Sequence, residues 1–223
     1  MKYSKVIGIV KKSKRLYILT EGGSLVQWMG DGGCLWCMAG TPPLENAGEF
    51  FTLYDVSDKA EKNFYTETGE LPAVLDTANQ TAEELEAEMM TVTVGWYDTV
   101  LRCFQYRAGD SVRHLFVRDA YLEPVRDAEY LSFTVREAKT TGLPYLCAKE
   151  GFELMGIILP IDLEEYPSTG ELKNELEEFT FAMEAELTNP RRARAAEGAE
   201  RNCRLTAEDD RNQESVFSQG EDA

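Results

Sequence analysis

Histidine is nearly absent from this sequence of 223 residues, in which His114 is the only one. Catalytic triads and many zinc sites depend on histidine, so the chain offers little material for either. The glycine-rich residues 30–33 have no lysine after them and carry Asp31 among them, so they match neither the P-loop nor the dinucleotide-binding pattern. We therefore expect no cofactor and no metal. A non-enzymatic protein is favoured over an enzyme whose site the sequence does not reveal.

Long apolar runs are also missing. No stretch reaches the roughly 18 consecutive apolar residues that a membrane-spanning helix needs, and the lysine-rich N-terminus lacks the continuous apolar region of a signal peptide. The 5 cysteines are odd in number and irregularly spaced, which does not suit a disulfide framework. These features predict a cytoplasmic protein with reduced thiols and no membrane contact.

Cys34 and Cys37 are the one closely spaced pair of thiols in the sequence. Such a pair can serve redox chemistry or bind zinc when it opens a helix or meets a second pair. Here it falls in a predicted strand, where residues three apart point to opposite faces. We therefore expect core or half-buried cysteines without a redox or metal role.

Positive charge is scarce: 40 acidic residues face 23 basic ones, and the formal net charge is -17. This balance opposes non-specific attraction to nucleic acid or anionic membranes. A local excess of basic residues could still contact a nucleic acid or a protein partner, or it could consist of ordinary solvent-facing strand and turn charges. The candidate residues are Lys11, Lys12, Lys14, Arg15, Arg102, Arg107, Arg113, Arg118 and Arg126.

Short apolar segments separated by glycine turns predict a mostly β fold with a few helices, of the α+β class. Antiparallel strand meanders are expected because the joints are tight turns. The predicted strands cover residues 5–10, 15–20, 24–29, 34–38, 50–55, 92–96, 100–107, 112–117, 131–137, 146–149 and 152–159.

Two capping-box patterns predict helices among these strands. Thr81 with Glu84 predicts a short helix over residues 82–90, and Ser168 with Glu171 predicts an amphipathic helix over residues 168–189. The second helix places its apolar residues on one stripe, which suits an interface with the domain or with a partner. These residues are Leu172, Leu176, Phe179, Met183 and Leu187.

The composition divides the chain into three parts. Residues 1–165 are expected to form a main β-rich domain, or alternatively two subdomains over residues 1–75 and 91–165. The amphipathic helix follows. Residues 190–223 are highly charged and poor in apolar residues, so they are predicted to form a disordered tail.

Residues 100–160 resemble the half-module of DNA sliding clamps. The similarity lies in the pair Tyr121-Leu122, in the segment that begins at Pro144, and in an apolar closing strand that ends at Pro160. The resemblance implies a ring-forming, non-enzymatic protein that encircles duplex DNA with basic helices while its outer surface stays acidic. The chain as a whole looks like small proteins that prophages and other mobile elements carry.

One departure from the clamp pattern concerns the helix that would face DNA. Pro124 follows Tyr121-Leu122 closely, and a proline inside a helix costs on the order of 3 kcal/mol. We therefore expect this helix to be broken or absent.

Three functions remain open at the level of the sequence. The first is a non-enzymatic interaction module of a phage or mobile element, with self-association or a protein partner and, in its clamp-like form, a place of action near DNA. The second is an acidic mimic of DNA that binds a host protein as a decoy. The third is an enzyme without a visible motif, which would need a pocket that gathers carboxylates with perturbed pKa values.

Overall fold

The computed structural model describes residues 1–22, 26–96 and 98–161. This part of the chain contains three α-helices, one 3₁₀ helix and ten strands. The helices are α1 (Tyr3–Ser13), α2 (Ala47–Leu53), α3 (Asp58–Glu61) and the 3₁₀ helix Asp119–Leu122. The strands are β1 (Arg15–Thr20), β2 (Gln27–Gly30), β3 (Cys34–Cys37), β4 (Tyr65–Glu70), β5 (Leu85–Trp96), β6 (Thr99–Ala108), β7 (Ser111–Arg118), β8 (Leu131–Glu137), β9 (Pro144–Glu150) and β10 (Glu153–Ile158).

All ten strands belong to one sheet with the order β4-β1-β2-β3-β10-β9-β8-β5-β6-β7. Three antiparallel meanders, β1-β2-β3, β5-β6-β7 and β8-β9-β10, make up most of it. β10 pairs with β3, and β5 pairs with β8, which joins the meanders. β4 is the exception, because it pairs with β1 in the parallel direction. The predicted α+β class and the strand meanders are confirmed.

The glycine turns fix most of this arrangement locally. The turn at residues 30–33 joins β2 to β3, as predicted, and its Gly32 has a φ of 89°, in the region that favours glycine. The predicted strands at residues 15–20, 34–38, 100–107, 112–117, 131–137, 146–149 and 152–159 are confirmed with small shifts of their ends. The one at 92–96 is confirmed as part of the longer β5, and the one at 24–29 shares residues 27–29 with β2.

The predicted strand over residues 5–10 is wrong, because this segment belongs to helix α1. Val6 and Val10, four residues apart, are fully buried and lie on the same side of the helix. A short apolar run fits a strand and a buried helix equally well, and its packing decides between them. The helix ends at Lys14, whose φ of 55° is left-handed.

The predicted strand over residues 50–55 is also wrong, because most of this segment lies in helix α2. The side chain of Asn46 accepts a hydrogen bond from the backbone N–H of Glu49 and caps the helix. Phe50 and Phe51 are buried against the core. The cap precedes the apolar run, so local chemistry favours a helix.

The predicted helix over residues 82–90 is a strand for most of its length. The Thr81 hydroxyl accepts a hydrogen bond from the backbone N–H of Glu83, at 3.2 Å, but no helix follows. The carboxylate of Glu84 bonds side chains on β8 and β9 instead of the backbone at Thr81. Tertiary contacts therefore override the capping signal.

Two cores cover the two faces of the sheet. The larger contains residues of α1 and of strands from the second to the last of the order, such as Leu16 of β1 and Val117 of β7. After β10 the chain reaches β7, where the N–H of Ile161 donates to the carbonyl of Phe116 at 2.8 Å. The sheet therefore curves around α1. The smaller core lies on the other face, among Leu19, Trp28, Leu35, Tyr145, Cys147, Leu154 and Ile157.

The segment near Pro124 is a single 3₁₀ helix, and no α-helix occurs there, as the proline predicts. The amphipathic helix over residues 168–189, with Leu172, Leu176, Phe179, Met183 and Leu187, and the predicted tail over residues 190–223 lie outside the described residues.

Candidate functional site: an acidic cleft where the sheet opens

The sheet opens between β5 and β8. The two strands pair from Leu85 with Val135 to Ala87 with Phe133. Beyond this point β5 continues along β6, while β8 continues along β9 as far as Leu131. Between them lies a cleft of about 780 Å³, which we call the acidic cleft. Its lining includes Glu84, Glu86, Glu88, Met89, Leu131, Lys149 and Phe152.

A row of three glutamates lines the cleft at the start of β5. Glu84, Glu86 and Glu88 alternate with Leu85 and Ala87, so their side chains share one face of the sheet. The strand repeat separates successive members by about 6.8 Å. Glu86 and Glu88 are exposed, while Glu84 is half-buried at the inner end of the row. The cleft therefore presents carboxylates to solvent in a fixed register.

Exposed apolar side chains lie beside the carboxylates. Phe152 is 77% exposed and Met89 is 47% exposed, and both line the cleft. Tyr130 is also exposed, and its carbonyl accepts a hydrogen bond at 2.9 Å from the N–H of Gly151, the residue before Phe152. We call Phe152 and Met89 the apolar rim of the cleft, and exposed apolar side chains around a cleft are typical of interaction sites.

An ion cluster of Glu84, Arg136 and Lys149 lies at the inner end of the cleft. One oxygen of Glu84, Oε1, accepts from Lys149 Nζ at 2.8 Å, and Oε2 accepts from Arg136 Nη2 at 2.6 Å and Nε at 3.2 Å. Burial acts to raise the pKa of the Glu84 carboxyl, but the hydrogen bonds and charges of its partners outweigh burial and lower the pKa. Glu84 is therefore held ionised and is unsuited to act as a general acid near neutral pH.

Arg136 also binds the loop between β4 and β5 to the sheet. Its guanidinium donates to the carbonyls of Asp76 at 2.9 Å, Ala78 at 2.7 Å and Asn79 at 3.5 Å. Together with the bonds to Glu84, all five of its N–H groups are used. Asn79 in turn accepts from the N–H of Leu154 at 3.0 Å. The buried guanidinium thus fixes the loop that carries Glu84 into the cleft.

A second buried carboxylate, Asp31, organises the turn between β2 and β3. Its Oδ1 accepts from the N–H of Gly33 at 3.0 Å and of Cys34 at 3.2 Å, and its Oδ2 accepts from the Tyr121 hydroxyl at 3.0 Å. Burial, followed by the charge of Asp31, raises the pKa of Tyr121. This contact ties the turn to the 3₁₀ helix, which is a structural role.

The cysteine pair occupies the positions that the sequence predicts. Cys34 is buried, Cys37 is half-buried, and both are free thiols. Burial raises the pKa of each thiol above its ordinary value, most strongly for Cys34. Both thiols therefore stay protonated at neutral pH, a state in which thiols react slowly.

Two of the candidate basic residues are held by one acid. Arg102 donates from Nε at 3.0 Å and from Nη2 at 2.8 Å to Asp119 Oδ1, and Arg126 donates to Oδ2 at 2.8 Å. Arg126 also pairs with Glu123 at 2.6 Å. Burial acts to raise the pKa of Asp119, but these two arginines lower it overall. Much of their charge is thus neutralised within the fold.

The remaining basic residues are dispersed. Lys12 and Arg118 line one small cleft of about 230 Å³, and Arg118 lies 5.8 Å from the centre of the Tyr121 ring. Lys11 donates to a carbonyl at the end of α2, that of Tyr54. The other four are exposed and lie elsewhere. Lys14 follows α1, Arg15 lies 5.8 Å from the Tyr65 ring centre, and Arg107 and Arg113 flank the turn between β6 and β7.

The sequence did not predict the residues of the acidic cleft as a site. The alternation of glutamates with Leu85, Ala87 and Met89 was the available signal, because period two is typical of a half-buried strand. The capping box at Thr81 favoured a helix instead. Arg136, Lys149 and Phe152 join the site through pairing of β8 with β9 and of β9 with β10, which carries no local signal.

Among residues 1–22, 26–96 and 98–161, no group of three or more metal-ligating side chains is placed to hold an ion. No helix in that part of the chain is both long enough and apolar enough to cross a bilayer. Comparison with protein-family models, with curated proteins and with solved structures found no match to this chain.

Proposed function

We propose that the protein is a non-enzymatic interaction module whose acidic cleft binds a basic segment of a partner protein. The observation that carries the proposal is the coincidence, at one opening of the sheet, of the glutamate row with the exposed side chains of Met89 and Phe152. Carboxylates would select the charge of the partner, and the apolar rim would supply contact area.

The apolar rim supports a binding role because exposed aromatic side chains are favoured at interfaces. Phe152 is the most exposed large hydrophobic side chain among the described residues. Covering such a side chain contributes about 1.5–3 kcal/mol when its burial is complete. A partner that places an apolar side chain against Phe152 would gain part of that free energy.

Charge supports a basic partner. The net charge of -17 attracts cationic proteins over distance, and the free carboxylates of Glu86 and Glu88 concentrate that field at the cleft. Exposed ion pairs contribute only about 0.2–1 kcal/mol each. We therefore expect moderate affinity that falls as salt rises.

The glutamate row also favours a special case of this function, the acidic decoy. Successive carboxylates about 6.8 Å apart repeat at twice the roughly 3.4 Å axial step of phosphates on one DNA strand. A nucleic-acid-binding protein could place alternate basic side chains against them. The clamp-like role near DNA and the origin in a mobile element stay predictions.

The test uses a labelled peptide of twelve residues in which arginine and leucine alternate, with binding measured by fluorescence anisotropy. The double variant Glu86→Gln/Glu88→Gln removes the exposed charges, and the matched control Glu61→Gln/Asp110→Asn removes two exposed acids elsewhere. Two exposed pairs together predict a roughly 2- to 30-fold weaker Kd for the first variant. The control variant should bind almost as tightly as the wild type.

A third variant, Phe152→Ser, tests the apolar rim and should weaken binding without changing the urea midpoint, because the side chain is exposed. If the cleft variant and its control lose equal affinity for the peptide, general charge attraction explains the binding, and the site is refuted. Labelled duplex DNA is the parallel probe. Retention of DNA at about 0.15 M salt, where the Debye length is about 8 Å, would favour the clamp-like role instead.

A further inference from the structure

A second surface, separate from the acidic cleft, lies at the first strand of the sheet order. β4 pairs with β1 on one side, and no described strand lies on its other side. All six of its residues are exposed. An open edge of this kind presents backbone donors and acceptors that another extended chain can pair with.

The hydrogen bonds on the inner side show which residues face outward. The N–H of Tyr65 donates to Lys14 at 2.9 Å, and the N–H of Leu71 donates to Thr20 at 2.8 Å, so both point toward β1. Backbone groups alternate along a strand. Thr66, Thr68 and Glu70 therefore direct their N–H and C=O groups to the open edge.

An apolar pocket of about 160 Å³ lies beside this edge, on the face opposite the main core. We call it the edge pocket. Its apolar wall includes Tyr17, Leu19, Leu35, Leu75, Ile157 and Leu159. Glu67, which pairs with Tyr17 across the strands, and Glu70 stand at its rim.

Gly69 has no side chain, so the surface between the outer edge of β4 and the edge pocket is open at this residue. It pairs with Leu19 of the pocket wall, and a Cβ built at this glycine meets no heavy atom within 4 Å. A side chain from a strand added beside β4 could therefore reach over Gly69 toward the apolar wall.

Charge selects the occupant of this edge. A second copy of β4 would bring Glu67 and Glu70 of both copies to one edge, and like charges that face each other across strands are destabilising. A segment with lysine or arginine beside these glutamates and an apolar residue at the pocket would be favoured.

We propose that β4 binds an extended, basic segment of a partner protein by strand addition, with one apolar side chain of that segment in the edge pocket. Backbone hydrogen bonds would supply affinity, and the pocket with Glu67 and Glu70 would supply selectivity. This site shares no residue with the acidic cleft and stands independently of it.

The decisive variant is Thr68→Pro. Proline is tolerated on an edge strand where its position faces solvent, so this change removes an outward donor while the pairing with β1 persists. Thr68→Val is the matched control, because it keeps the backbone donor. Gly69→Leu is a second variant that fills the open face without altering a backbone hydrogen bond. Circular dichroism and urea unfolding establish that each variant is folded.

The probe is a labelled peptide of eight residues in which lysine and valine alternate, with a second version methylated at alternate backbone nitrogens. The wild type and Thr68→Val should bind the first peptide equally. Thr68→Pro and Gly69→Leu should each weaken its binding at least 10-fold, and the methylated peptide should bind as weakly to the wild type.

Four outcomes would overturn the inference. The first is wild-type affinity in folded Thr68→Pro and Gly69→Leu, and the second is equal binding of the methylated peptide. The third is a dimer by size-exclusion chromatography that Thr68→Pro dissociates, because the occupant would then be a second copy. Loss of binding in Glu86→Gln/Glu88→Gln, with none in Thr68→Pro, would assign this peptide to the acidic cleft and refute the edge site alone.

Discussion

Replacing Arg136 with methionine should destabilise the fold through the loop that it holds. The guanidinium is 3% exposed and makes hydrogen bonds to Glu84 and to three backbone carbonyls of the loop. Methionine fills a similar volume but donates no hydrogen bond. Removing one partner of a buried ion pair typically costs about 3–5 kcal/mol. Because Glu84 keeps the hydrogen bond from Lys149, we expect the lower end, about 3 kcal/mol.

Urea unfolding followed by tryptophan fluorescence measures this loss, since Trp28 and Trp36 are buried in the folded protein. For a chain of this size, about 3 kcal/mol corresponds to a fall of roughly 6–12 °C in Tm. Arg136→Lys should give an intermediate loss, because lysine keeps the charge but cannot bond the carboxylate and the carbonyls together. Limited proteolysis should cut the loop between β4 and β5 before the rest of the fold.

The matched control is Arg102→Met. Arg102 is more exposed, and its partner Asp119 keeps Arg126. We expect this change to cost at most about 1 kcal/mol. If Arg136→Met costs no more than Arg102→Met, or if the loop stays protected from protease, Arg136 does not hold the loop and the structural account of the ion cluster fails.

Three further outcomes are expected. The pKa of Glu84 is lowered in the folded protein, so its contribution to stability is complete above the ordinary carboxyl pKa and is lost as pH falls through the lowered pKa. Glu84→Gln should therefore make the urea midpoint less sensitive to acid. Gly156→Ala should cost about 1–3 kcal/mol or more, because a Cβ there would lie 2.3 Å from the buried Trp36 ring, whereas Gly69→Ala should be neutral in the same urea assay. Tyr121→Phe should lower the free energy of unfolding by about 1 kcal/mol, measured by calorimetry, because it removes the hydrogen bond to Asp31. An unchanged free energy of unfolding would show that this bond does not stabilise the fold.

Local chemistry in the sequence predicts much of the sheet. A tight glycine turn locates β6 and β7, because a short connection joins these two strands, and β-branched and aromatic residues locate β8. The same reasoning fails at α1, where the run around Val6 and Val10 fits either period. It also fails at β5, where the signal at Thr81 opposes an alternation that begins at Glu84.

The candidate sites lie beyond such reasoning because their parts come from distant segments. Arg136 and Lys149 meet Glu84 across 52 and 65 residues of chain. Contacts of this kind depend on how the whole sheet packs, so no short stretch of the sequence shows a pattern that predicts them. Phe152 follows a predicted glycine turn, but it lines the same cleft as Met89 only because β5 separates from β8.

The sequence by itself determined a strand-rich fold, the hairpin turns and the burial of Cys34, because backbone geometry and side-chain polarity act over a few residues. The tertiary structure alone decided that β4 pairs with β1 in parallel and ends the sheet, and that β5 leaves β8 at Ala87. Both features arise from competition among distant segments for the same core. The open edge and the acidic cleft follow from that competition.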